Sequence, residues 1–324
     1  MNIFWDTRKG KNIMNRKNKK ANWAIRMTRH INHVKRALNM LLSDPQDFWY
    51  HLKPYLHRVK SGKIIINGIT FRIDPKLDLA MRGMCFGTYQ SGITSLCKKY
   101  LVEGDTFIDV GANIGYFSTI ALGLVGKDGN VHAFEPVPRY VERLRQVHED
   151  NPDYRLHING VALGDYEGTA RIAITNLPNI GWNTMVPDFM PKDTVEQEVE
   201  VDVTTLDRYL FSKDIQKLRL VKIDTEGYEF PVMKGFQEYL RKVKELPILI
   251  IEIHPTAYPK LQTSIIEFTR FMSDLGYVPR SLDLTRAVQL DKLDRPTDVV
   301  FIPKSIAQQG AAPDGHSAAI HSCR

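Results

Sequence analysis

Seven side chains able to do acid, base or hydrogen-bond chemistry stand at or near the ends of apolar runs in this 324-residue chain: Asp109, Glu135, Asp165, Asp224, Glu226, Glu252 and His254. In open α/β sheets ligands gather beyond the carboxyl ends of the strands, so polar residues placed this way are candidates for one shared site. The run Thr106–Val110 is β-branched and aromatic, as expected of a strand buried on both faces, and it feeds Gly111-Ala-Asn-Ile-Gly115. The two glycines bracket a tight turn where a Cβ would obstruct a ligand, and a helix from Tyr116 would point its first N–H groups at a polar or anionic group. Twenty residues after Gly115 a second apolar run, Asn130–Phe134, ends in Glu135. A carboxylate there can accept both hydroxyl protons of a ribose, so turn and acid together predict a nucleoside cofactor. The turn lacks the Gly-x-Gly-x-x-Gly of dinucleotide binders, which argues against a nicotinamide.

The segments Asp105–Ser118, Phe134-Glu135-Pro136, Ala162-Leu-Gly-Asp165, Val221-Lys-Ile-Asp-Thr-Glu-Gly-Tyr-Glu229 and Ile251-Glu-Ile-His254 resemble, in order, the motifs of the FkbM family of class I S-adenosylmethionine-dependent methyltransferases. The resemblance spans roughly residues 86 to 303. It implies S-adenosylmethionine as cofactor, with Gly111, Asn113 and Gly115 under the methionine moiety, Asp109 receiving the amino group, Glu135 on the ribose and Asp165 near the adenine. Asn113 stands where many class I enzymes carry glycine. The implied fold is a doubly wound, seven-stranded, mostly parallel α/β sheet of Rossmann-like kind.

Methyl transfer is an in-line displacement on an already activated donor. The protein's main task is alignment, which can contribute on the order of 7–11 kcal/mol. A hydroxyl acceptor also needs a base, worth about 10² to 10⁴ in rate. Asp224 is the first candidate for base or acceptor-orienting group, its alternative role being to cap the loop before a helix near Glu229. His254 is the second, because imidazole titrates near neutrality, unless hydrogen bonds simply fix it before Pro255. Lys222 shares a strand face with Asp224, so it either pairs with that carboxylate or approaches the acceptor itself. By resemblance the polar loop Asn179-Ile-Gly-Trp-Asn-Thr184 lies near the acceptor, which makes Asn179, Trp182, Asn183 and Glu226 candidate acceptor contacts. The chemistry requires no metal and no clear metal constellation stands out, although Asp224 and Glu226 together leave room for a divalent ion.

These residues need strands and helices to position them. Asn67-Gly68 between apolar runs predicts a two-residue β-hairpin. Leu77–Gly83 and Ser91–Tyr100 read as helices, followed by strand Thr106–Val110, helix Tyr116–Leu124, strand Asn130–Phe134 and helix Arg139–Glu149. Tyr154–Val161 reads as a strand, and Arg171–Thr175 with Glu198–Thr204 as a strand pair outside the βα rhythm. Later core strands fall at Leu218–Ile223, Pro247–Ile253 and Val299–Ile302, with helices over Glu229–Arg241 and Thr263–Leu275. The expected organisation is a basic arm over 1–45, a helix and hairpin extension over 46–90, a methyltransferase domain over 91–304 and an unstructured tail over 305–324.

The net charge of +7 is unevenly distributed. Eleven of the 44 Lys and Arg fall between Thr7 and Ser43 with no acidic residue, which leaves 33 basic against 37 acidic side chains elsewhere, or −4. Within that arm Trp23, Met27, Ile31, Val34, Leu38 and Leu41 recur at helical spacing, so a basic amphipathic helix is expected. Such a helix packs on its own protein, lies on an anionic membrane surface or meets a phosphate-rich partner, nucleic acid being the less favoured of these. Three cysteines, Cys85, Cys97 and Cys323, form neither a metal-ligand spacing nor an even disulfide framework, and no apolar stretch or signal peptide indicates export. The expectation is a cytoplasmic enzyme, peripheral to the inner membrane if the arm binds lipid. The reading is O-methylation of a hydroxyl on a sugar, glycan, glycolipid or secondary metabolite, the acceptor class resting on the resemblance. An RNA or other macromolecule methyltransferase, or a noncatalytic nucleoside-binding module, are the alternatives.

Overall fold

The computed structural model describes residues 60–74, 80–175, 182–191 and 194–307, all within a compact unit that begins at Lys60. The basic arm with its amphipathic helix, Asn179, Cys323 and nearly all of the expected tail lie outside the described residues.

The chain opens with a hairpin, β1 (Gly62–Ile66) and β2 (Ile69–Ile73), in which Ile66 pairs with Ile69 across Asn67-Gly68. Both turn residues have positive φ, 49° and 84°, the backbone of the expected two-residue turn. Ile69, Phe71 and Ile73 are buried. The short helix α1 (Ala80–Cys85) and α2 (Ser91–Tyr100) lead into the first core strand, β3 (Thr106–Val110). Next come α3 (Tyr116–Val125), β4 (Asn130–Phe134), α4 (Pro138–Asp150) and β5 (Leu156–Asn159). Helix α3 is buried along most of its length because the hairpin covers it: Gly123 lets the Asn67 carbonyl approach to where a Cβ would stand 2.3 Å away. Asp150 at the end of α4 fixes the hairpin through Arg72 at 2.6 Å and Lys63 at 2.9 Å.

After β5 the chain leaves the main sheet for a small one of β6 (Ala162–Leu163), β7 (Gly168–Thr175), β8 (Asn183–Thr184) and β9 (Val195–Thr204), in the order β6-β9-β7-β8. The expected strand over Tyr154–Val161 is thus shorter, and its continuation joins a different sheet. Helix α5 (Leu206–Ser212) returns the chain to β10 (Leu220–Ile223). The single helix expected over Glu229–Arg241 is two, α6 (Glu229–Lys234) and α7 (Gln237–Lys242). The break has a cause: the Asp207 carboxylate accepts the N–H groups of Glu238 and Tyr239, starting a new helix there. Then follow β11 (Ile248–Ile253), α8 (Ile265–Asp274) under a Ser264–Glu267 capping box, the unforeseen strand β12 (Tyr277–Arg280), β13 (Thr297–Pro303) and α9 (Lys304–Ala307).

The main sheet is seven-stranded in the order β12-β13-β11-β10-β3-β4-β5. β11, β10, β3, β4 and β5 run parallel, and β13 and β12 close one edge antiparallel. Pro279 is tolerated in β12 because that strand is the edge. Strand order reverses between β3, which continues outward to β4 and β5, and β10, which starts the other half; ligands bind at that switch point in such sheets. No helix among the described residues is long and apolar enough to cross a membrane.

Candidate active site

At the switch point the turn after β3 folds back on β4, with the N–H groups of Gly111 and Ala112 both donating to the Phe134 carbonyl at 3.0 Å. Gly111 has φ 73°, and a Cβ on it would stand 1.8 Å from the Asp224 carbonyl oxygen. Only glycine lets the cofactor turn and the loop after β10 lie this close. Asn113 also has positive φ, 52°, a conformation asparagine tolerates better than most residues, which explains why it can replace glycine here. Its side chain accepts the Ile114 N–H at 2.7 Å. Gly115, φ 83°, precedes α3, and a Cβ on it would strike Leu144, so its need is turning and packing.

Glu135 ends β4 almost fully buried. One oxygen accepts the Asn113 N–H and the other the Val137 N–H, each at 2.8 Å. Burial lifts its pKa to about 7 against the pull of those two amides. Each carboxylate oxygen keeps a further lone pair, so the group remains able to accept hydroxyl protons.

A cavity of about 220 Å³ joins these groups to the second half of the sheet. Gly111, Asn113, Glu135, Val161, Ala162 and Leu163 line it, and so do Lys222, Asp224, Glu226, Glu252, Trp182 and Asn183. Four expected residues do not line it. Asp109 lies within β3 rather than at its tip, almost fully buried; one carboxylate oxygen accepts the Ser118 hydroxyl at 2.7 Å behind the turn, and the other has no hydrogen-bond partner among the described residues. Asp165 is exposed, two residues beyond the cavity wall at Leu163. Gly115 and His254 lie outside the lining.

Lys222 is 3% exposed and pairs with Asp224 at 3.0 Å, its ammonium 5.1 Å from the Phe117 ring centre. Burial opposes the ammonium's charge, but Asp224 and Asp109, the latter its register partner on β3, hold its pKa above the ordinary value. Burial likewise opposes ionisation of Asp224, yet the Lys222 charge keeps that carboxyl below its ordinary value. Asp224 does not cap the following helix. Glu229 braces that loop instead, accepting the N–H groups of Gly227 at 2.8 Å and Thr225 at 3.2 Å.

His254 closes β11 nearly buried, its Nε2 2.9 Å from Glu252 and 3.5 Å from Glu226. Burial disfavours its charge, but the Glu252 hydrogen bond and the surrounding carboxylates raise its pKa to about 9. That shift depends on Glu252 being ionised, and the Glu252 carboxyl is itself raised, so the two groups share a proton. Glu226 and Glu252 are both raised, by burial first and then by neighbouring negative charge. Glu226 sits at φ 51°, its carbonyl held by the Thr184 hydroxyl at 2.7 Å, so β8 ties the acceptor-side loop to the tip of β10. Sequence reasoning missed Tyr89, Gln90 and Met185 in the lining; they lie outside the recognised motifs, and no spacing marks them.

Residues 109–279 match the family Methyltransferase FkbM domain, more than half of the chain. This protein belongs to the FkbM methyltransferase family. Among relatives, the FkbM domain is similar to the hexuronic acid methyltransferase AglP of Haloferax volcanii, 26% identical over 194 residues, which cover 60% of this chain and 74% of the relative. Among solved structures it is similar to methyltransferase FkbM from Methylobacillus flagellatus, at 17% identity and TM-score 0.37, over 69% of this chain and only 55% of that one. A SAM-dependent methyltransferase from Aquifex aeolicus aligns over 71% of this chain and 97% of its own, at 16% identity and TM-score 0.37.

Proposed function

We propose that this FkbM methyltransferase uses S-adenosylmethionine to methylate a hydroxyl of a sugar or glycan. The observation that carries the reading is one cavity lined both by Glu135, a carboxylate able to accept ribose hydroxyls, and by the Lys222–Asp224 pair. Gly111, lacking a Cβ, lets the turn lie against the Asp224 carbonyl while still lining the cavity, and Glu135 suits a ligand's ribose. When bound, the donor supplies a methyl group whose bond electrons stay on sulfur as a new bond forms to the acceptor oxygen.

Asp224, held ionised by Lys222, accepts the acceptor hydroxyl's hydrogen bond and aligns its lone pair. A carboxylate of low pKa suffices as proton acceptor here, because the hydroxyl becomes strongly acidic only as its oxygen is alkylated. Trp182, 44% exposed, offers a flat apolar face of the kind against which the C–H face of a sugar ring packs. AglP, by its name, methylates a hexuronic acid, which supports a sugar acceptor.

Calorimetry of the full chain with S-adenosylmethionine should show binding that Glu135→Ala removes; a folded wild-type protein that does not bind the donor overturns the reading. With labelled donor and a fractionated glycan extract, Asp224→Asn should lower transfer by about 10² to 10⁴ while donor affinity holds. An unchanged rate would refute the role of Asp224.

A further inference from the structure

We propose that Glu226, Glu252 and His254 form a site for one divalent transition-metal cation, of the Mn²⁺ or Zn²⁺ type, at the cavity wall. The three residues come from the tips of the adjacent strands β10 and β11 and offer two carboxylate oxygens and one imidazole nitrogen, all within 4.8 Å of one another. Ligand atoms about 2.1 Å from a metal lie about 3.0 Å apart at a right angle and about 3.4 Å apart at the tetrahedral angle. Nε2 of His254 stands 2.9 Å from Glu252 Oε2 and 3.5 Å from Glu226 Oε2, so bound ligands would need little movement.

The donors are held in place. His254 is 4% exposed, with its ring edge-to-face against Phe189 at 5.9 Å. Glu226 is fixed by the Thr184 hydroxyl on its carbonyl, and the adjoining Gly227 packs against Ala257. Asp298 is the register partner of Glu252 on β13, so a further carboxyl stands beside the donor set.

The donor set selects the ion. Carboxylates alone would suit Mg²⁺ or Ca²⁺, whereas one imidazole among them favours Mn²⁺ or Zn²⁺. Glu226 and Glu252 line the cavity, so the open coordination positions face the acceptor. Resting on the methyl-transfer reading, the cation's role is to take acceptor oxygens as ligands. It would thereby admit an anionic sugar to an acidic pocket and lower the pKa of a bound hydroxyl.

The test needs no acceptor and no turnover. Titration of the full chain with Mn²⁺, followed by the loss of the free-ion paramagnetic resonance signal, should show one site. Mn²⁺ is the probe because histidines elsewhere in the chain would draw Zn²⁺. Glu226→Gln, Glu252→Gln and His254→Gln each remove a coordinating donor and should weaken the site by at least about 100-fold, the upper end of what loss of an outer-shell partner costs, with S-adenosylmethionine binding as the check that each variant is folded. Wild-type protein that binds the donor but leaves millimolar Mn²⁺ free overturns the proposal, as do variants that bind Mn²⁺ like wild type. Mn²⁺ binding without donor binding would leave the metal site standing and refute the methyl-donor reading instead.

Discussion

Gly111→Ala tests the contact on which the site is built. The added Cβ would stand 1.8 Å from the Asp224 carbonyl oxygen, a backbone atom that cannot rotate away, on a residue at φ 73°. Restoring an ordinary contact requires the turn and the Asp224 loop to separate by more than about 1 Å, and misplacement on that scale costs on the order of 10² in rate. Left-handed backbone at a non-glycine residue costs about 1–2 kcal/mol. Overpacking adds about 1–3 kcal/mol, for a total of roughly 2–5 kcal/mol. Gly104→Ala is the control: Gly104 has φ 83°, yet nothing lies within 4 Å of its added Cβ, so it carries the backbone cost alone. At about 2–4 °C per kcal/mol for a body of this size, thermal unfolding should fall by about 2–8 °C in Gly104→Ala and roughly 4–20 °C in Gly111→Ala. Calorimetry with S-adenosylmethionine should show donor binding intact in the first variant and lost in the second. Equal melting shifts and equal donor affinity in the two would refute the argument that close approach at Gly111 builds the cavity.

Donor affinity should rise as pH increases through about 7, where Glu135 ionises and can accept ribose hydroxyls, and Glu135→Gln should flatten that profile in calorimetry from pH 6 to 8. Because the folded pKa of Glu135 lies above its ordinary 4.5, the native state holds the extra proton between those values. This group's contribution to stability therefore falls as pH rises across that window. Lys222→Met leaves the Asp109 and Asp224 carboxylates buried without their cation and should cost about 3–5 kcal/mol in denaturant unfolding; a loss under about 1 kcal/mol would show the pair to be dispensable. Asp150, held below the ordinary carboxyl pKa by its Arg72 hydrogen bonds despite partial burial, contributes stability that is present above about pH 4 and is lost as pH falls further. Asp150→Asn should lower the melting temperature at pH 7 and shrink the acid-induced loss, whereas an unchanged acid limb would remove this clamp from the account.

The sequence alone located most of the core strands and the glycine-bracketed turn after the first of them. Thr106–Val110, Asn130–Phe134 and the Asn67-Gly68 turn stand where alternation and turn chemistry put them, because burial on both faces and positive φ demand particular residue types locally. Gly111, Asn113 and Glu135 were legible for the same reason: their spacing follows from one strand, one turn and the next strand. The tertiary structure decided what depends on groups far apart in the chain. Asp109 reads as a strand-tip acid but is turned toward Ser118, and the helix after Glu229 breaks because Asp207, more than twenty residues earlier, caps its second half. His254 reads as a lone imidazole titrating near neutrality, but the fold sets it among Glu252, Glu226 and Glu229, and its proton is shared with Glu252. Local propensity and spacing operate over a few residues, so they locate strands and turns; the charge state of a buried group is set by whatever the fold packs against it, and only the assembled sheet brings those partners together.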